Sequence, residues 1–253
     1  MRDFLLKVFD SNLGGLEINL FDFWHVLYIL IILGLTFGGA YLLTKKSEEK
    51  GKKVLDILVW LLVISYLSDF FTHEFVYDGL NTDKLPFHIC TVLCPIVALT
   101  HFNKRLQKFA EPVAVLAIVG PLMYICYPGT ALGEISPISY KVVQTFFYHG
   151  VLFAYGVLSL TTKKVEFKLK NIWKALVLIC LIAVWATLGN FAYAHDDGTP
   201  WNWFFLRDAA FGFEFPYPIT SLMVISGVFA MCLIIYGIYF ATLKVISKIK
   251  AKQ

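Results

Sequence analysis

The chain has 253 residues, of which 58% are hydrophobic, 17% aromatic and only 16% charged, with a mean hydropathy of +0.68. Soluble domains sit nearer half apolar with about a quarter of their residues charged, so these figures exclude an ordinary soluble enzyme and predict a polytopic membrane protein. The net charge of +4 does not point to nucleic acid, because that partner needs a concentrated basic face and here the basic residues sit at the ends of apolar runs.

The first 22 residues hold four acidic side chains and no apolar core of a leader, so no cleavable signal peptide is expected and the first span serves as an uncleaved anchor. Long uncharged runs then predict seven spans, over 23–43, 54–76, 86–101, 112–127, 140–161, 172–194 and 219–243. The third and fourth are short, as expected for tilted helices or helices packed inside a bundle. The expected fold is all-α, a single transmembrane domain over residues 1–253 with no internal repeat and no soluble appendage. The loops 44–53, 102–111 and 162–174 and the carboxyl-terminal tail hold 17 of the 22 basic residues. With seven spans these all lie on one side, and the positive-inside bias then places the amino terminus outside and the carboxyl terminus in the cytoplasm.

In chain order, the ionisable and polar groups of the spans begin with Asp69 and His73 on span two, i and i+4 on one helical face, where they either pair with each other or contribute to a site. His88 and Cys90 open span three after Pro86, and Cys94 follows on the same face as Cys90 in the manner of a packing residue. Tyr124, Cys126 and Tyr127 close span four. Gln144, Thr145, Tyr148 and His149 lie on span five, with His149 about 12–15 Å deep, and Asn190 is in the last turn of span six, where it reads as interhelical glue supporting a site. These groups gather in the outer half of the expected bundle, while the inner half reads as nearly featureless. A shared depth implies one cavity open toward the outer leaflet. His25 and His195 read as interfacial, His101 as remote from the cluster, and Cys180 and Cys232 as small core residues. The five cysteines give no metal or redox spacing, and no cofactor motif is present.

A thiol beside an imidazole is a nucleophile in waiting: the histidine takes the proton and the sulfur attacks an acyl carbonyl. Cys90 and His149 lie on different spans at compatible depths. His88, two residues from Cys90, falls on nearly the opposite helical face and is poorly placed to act as its base; it is expected instead beside Thr91 or lining the cavity from another side, where with Asp69 and Asn190 it orients the pair or polarises the carbonyl. The segment LPFHIC, the histidine of QTFFYHG, and LGNFAYA followed by PWNWFFL resemble the YwaF-type membrane proteins, relatives of the transmembrane protein 164 acyltransferases, over essentially all seven spans. The resemblance implies an integral-membrane acyltransferase in a cell membrane, acting on phospholipid or lysophospholipid without a cofactor, with Cys90 as nucleophile and His149 as general base. It also carries a supporting role to Asn190, although the tyrosine usual after it is Phe191 here. A related architecture cleaves fatty-acid esters of hydroxy fatty acids, which keeps lipid hydrolysis open, and a polar half-cavity in seven helices also suits a small-solute or lipid transporter or binding protein. The loop from His195 to Pro218, with Trp201, Trp203, Phe204, Phe205, Phe211, Phe213, Phe215 and Tyr217, reads as an interfacial aromatic belt. Its single cation, Arg207, is a candidate contact for a lipid phosphate.

Overall fold

Seven helices account for most of the chain in the computed structural model, which describes residues 13–77, 85–133, 135–195, 198–208 and 215–251. They are α1 (Phe23–Thr44), α2 (Glu48–Tyr77), α3 (Ile89–Phe102), α4 (Ala110–Cys126), α5 (Tyr140–Thr161), α6 (Trp173–Ala192) and α7 (Ile219–Lys250). Among the described residues no strand forms beyond two isolated bridges. Six of the helices are long and apolar enough to cross a membrane; α3, with 14 residues, is shorter. The protein is a multi-pass helical membrane protein.

The helix boundaries follow from local chemistry. Asp22 caps α1, its carboxylate accepting the His25 N–H at 2.8 Å and the Asn19 N–H at 2.7 Å. Glu48 and Glu49 place negative charge on the first turn of α2, where the helix dipole favours it, so that helix begins several residues before the apolar run. α3 begins late. Pro86 holds the chain out of helix, and His88 is still extended, at φ −74° and ψ 152°, in the N-cap position. The expectation that His88 sits in the first helical turns is therefore corrected, and the argument that a helix turns it away from Cys90 does not apply.

α4 and α5 form the centre. Of their most apolar stretches, 67% and 72% are buried, against 11% for α1 and 17% for α7. Gly156 of α5 makes that closeness possible: a Cβ there would stand 2.7 Å from Ile118 Cγ1 and 3.0 Å from the Ala114 carbonyl oxygen. α1 and α2 pack against α5, α3 lies between α2 and α4, and α6 and α7 cover the other side of α4. The outward faces of α1 and α7 carry side chains such as Leu35 and Leu222, exposed as a lipid-facing surface requires.

Candidate functional site

Cys90 lies in the first turn of α3 and is buried, at 8% exposure. Its sulfur rests on Gly120 of α4, where a Cβ would come within 3.3 Å of it. One turn further along α4, the Tyr124 ring stacks on the His149 imidazole with centroids 3.9 Å apart and planes 9° from parallel. Cys90 of α3 and His149 of α5 therefore address adjacent turns of the same helix. Tyr148 ties the two flanking helices together, its hydroxyl donating to the Cys90 carbonyl at 2.7 Å.

The tautomer of His149 follows from its partner. Nδ1 lies 2.8 Å from the Thr145 carbonyl oxygen, which can only accept, so Nδ1 carries the proton and Nε2 carries the lone pair. His88 is held the opposite way. The Phe204 N–H donates to its Nδ1 at 3.2 Å, so the proton is on Nε2. The site thus pairs an imidazole whose Nε2 accepts with one whose Nε2 donates. The first turn of α3 adds backbone N–H groups without intrahelical partners, since the earliest i→i−4 bond of that helix is from Val92 to His88.

Asn190 fixes the segment that holds His88. Its Oδ1 accepts the Trp203 N–H at 2.7 Å and its Nδ2 donates to the Trp203 carbonyl at 3.1 Å. Trp203 packs on Phe87 at 4.7 Å between centroids and stacks on Trp201 at 4.8 Å, and the Trp185 indole N–H donates to the Pro86 carbonyl at 2.6 Å. Trp201, Trp203 and Phe204 are buried. This corrects the reading of the loop as an interfacial belt: once Asn190 satisfies both backbone groups of Trp203, the indole can enter the bundle and close over the start of α3. Phe205 and Tyr217 remain exposed; Phe211 and Phe213 lie outside the described residues.

The other expected site residues are placed as follows. Gln144 donates from Nε2 to the Ser65 carbonyl at 3.0 Å and joins α5 to α2. Asp69 is buried on α2, one turn beyond Ser65, and the side chain of His73 lies outside the described residues. Arg207 is partly exposed, with its backbone N–H bonded to Asn202 Oδ1 at 3.0 Å. His25, expected at the interface, is fully buried: Nε2–H donates to the Ile125 carbonyl at 2.9 Å and Nδ1 accepts the Phe21 N–H. Cys180 is exposed on the bundle surface rather than in its core. Cys94 and Cys232 are buried. The sequence reading overlooked Gly120, Phe87 and Trp185; the adjacent Gly-Pro of α4 was the one signal of close approach.

Nor is the other end of the bundle featureless. His101 meets Asp56 and Lys164 there. Nearby, Glu111 accepts the Lys168 N–H and the Asn171 amide at 2.6 Å each and the Tyr236 hydroxyl at 2.9 Å. An open groove of about 500 Å³ lined by Ala98, Leu99, Phe102, Asn103 and Lys104 also lies at this end.

No curated protein and no solved structure matches the chain. A family model matches residues 20–239, a stretch that contains all seven helices but the last turns of α7 and every residue of the site just described. The chain belongs to the TMEM164 family.

Proposed function

We propose that the protein is an integral-membrane acyltransferase that moves a fatty acyl chain between phospholipids through a thioester on Cys90, with His149 as general base. The observation that carries this reading is the pairing of Cys90 on Gly120 with His149 on Tyr124, one turn apart on α4, with the His149 Nε2 lone pair set by the bond of Nδ1 to Thr145.

In the first half-reaction the Cys90 thiol proton passes to His149 Nε2 and the sulfur attacks the ester carbonyl carbon. Negative charge on the carbonyl oxygen is met by His88 Nε2–H and by the backbone N–H groups opening α3, which have no partner within the helix. The ester C–O bond breaks, and His149 returns its proton to the departing lysolipid alkoxide. In the second half an acceptor lysolipid hydroxyl gives its proton to His149, its oxygen attacks the thioester, the C–S bond breaks, and His149 returns the proton to the Cys90 thiolate, restoring the thiol. Water in place of the acceptor gives hydrolysis. On this reading all seven helices cross the membrane, with the amino terminus outside, and the site opens to the extracytoplasmic leaflet.

The test is incubation of the purified protein with phospholipid labelled in its acyl chain. Wild type forms a hydroxylamine-sensitive acyl adduct and labels added lysolipid; Cys90→Ala does neither, with turnover down by about a thousandfold or more. An adduct and normal turnover in Cys90→Ala would remove sulfur from the mechanism.

A further inference from the structure

At the end of the bundle opposite Cys90, three segments distant in sequence meet on one imidazole. His101, in the last turn of α3, is 4% exposed. Its Nε2 lies 2.6 Å from Asp56 Oδ1 of α2; a carboxylate only accepts, so Nε2 carries the proton and Nδ1 the lone pair. Nδ1 is bonded to Lys164 Nζ, on the turn that follows α5, and the Tyr155 hydroxyl of α5 lies 3.4 Å from the same nitrogen. The groups facing the amine are thus Asp56 and Lys52 from α2, His101 from α3 and Tyr155 from α5.

A lysine placed only to neutralise Asp56 gains most by touching it, since attraction rises as the distance falls. Here the amine lies against the imidazole, bonded to Nδ1 and 3.4 Å from Nε2, and the carboxylate orients that ring. This is the order of parts in a nucleophile–base–orienting acid constellation. Burial pushes the Lys164 amine down to about 8, with Asp56 opposing that fall and Lys52 adding to it. At pH 7.5 an ordinary lysine is neutral about once in a thousand molecules, whereas an amine at about 8 is neutral in roughly a quarter of them. Lys164 is partly exposed and so within reach of a reagent.

We propose that Lys164 is a nucleophilic amine with the His101–Asp56 pair as its base, and that it takes an acyl group from an acyl thioester at this end of the bundle. The Nζ lone pair attacks the thioester carbonyl carbon and the C–S bond breaks. The Nζ proton passes to His101 Nδ1 and then to the departing thiolate, leaving an amide and a free thiol. A thioester is the fitting donor because a thiolate leaves far more readily than the alkoxide of an oxygen ester. The inference does not rest on the chemistry assigned to Cys90.

The experiment uses the full chain in detergent at pH 7.5 with the S-acetyl thioester of N-acetylcysteamine as probe. Hydroxylamine strips acyl groups from cysteine, and peptide mass spectrometry then reads the surviving amides. Lys164 is expected to acylate at least about tenfold faster than the exposed Lys163 beside it, and His101→Gln to bring it down to the Lys163 rate. The Lys164 rate in the unaltered protein is expected to reach half its maximum near pH 8. Equal rates at Lys164 and Lys163, or a folded His101→Gln protein that acylates Lys164 as before, would overturn the proposal. If His101→Gln does not fold, the pH profile decides: a rate still climbing beyond about pH 9.5, as for an ordinary lysine, overturns it.

Discussion

A histidine's neighbours decide which of its two nitrogens does chemistry, and the three histidines around the start of α3 show it. His25 spends both nitrogens on backbone groups and is a structural tie. His149 gives Nδ1–H to Thr145 and so carries its lone pair on Nε2, while His88 is held in the other tautomer by Phe204. His149→Gln is expected to cut acyl transfer by about 10²–10⁴-fold with the fold intact, measured as lysolipid labelling by a variant with unchanged thermal unfolding. Asn190→Ala strands the buried N–H and C=O of Trp203 and is expected to cost about 2–4 kcal/mol, read from denaturant unfolding in detergent. Cys90 and His149 were legible in the sequence because an ionisable group in an apolar run is expensive and therefore conspicuous. Tyr124 and Gly120 were less so: an aromatic ring or a glycine in a membrane helix is ordinary until its neighbour is known.

At the scale of elements, the apolar runs located the helices well, since a span must satisfy its backbone internally and its length follows from the bilayer. The sequence pattern did not reveal the break before α3. Whether Pro86 begins a helix or precedes one depends on the Trp185 indole and the Phe87 ring packing against the segment from α6. Nor did composition show that the Trp201–Phe204 segment turns inward, because aromatics at an interface and aromatics packed within a bundle have the same composition. Gly189 is where α6 meets this entrance: a Cβ there would fall 2.5 Å from Phe87 Cδ1, with two further ring carbons under 3 Å. Gly189→Ala is expected to lose about 1–3 kcal/mol from overpacking. Because the displaced ring adjoins His88, acyl transfer should fall as well; a thermal shift with unaltered transfer kinetics would show that Phe87 does not position the site.

For the molecule as a whole, one polar constellation runs from the start of α3 to the middle of α5 and a second sits at the opposite end of the bundle. The first was readable because its members share a depth in the predicted topology. The second was not, because Asp56, His101 and Lys164 each resemble the solvated charge or interfacial histidine that normally ends a membrane helix, and only the packing of α2, α3 and the turn after α5 brings them together. Sidedness gives a further check. Single cysteines replacing Lys46, Lys104 or Lys168 are expected to react with a membrane-impermeant maleimide only after the cytoplasmic face is opened, and one replacing Lys141 in intact cells.

The brevity of α3 has a consequence for the surrounding lipid. Fourteen residues of helix measure about 21 Å, against about 30 Å for the hydrocarbon of a typical bilayer. A helix that stops short of one surface leaves its leading end below the headgroups, which is the level at which glycerol esters reside. On the acyltransferase reading proposed above, the distance an ester must sink to meet Cys90 is set by the membrane itself: thin, short-chain bilayers are expected to bring their own linkages level with the sulfur, and thick ones to hold them away from it.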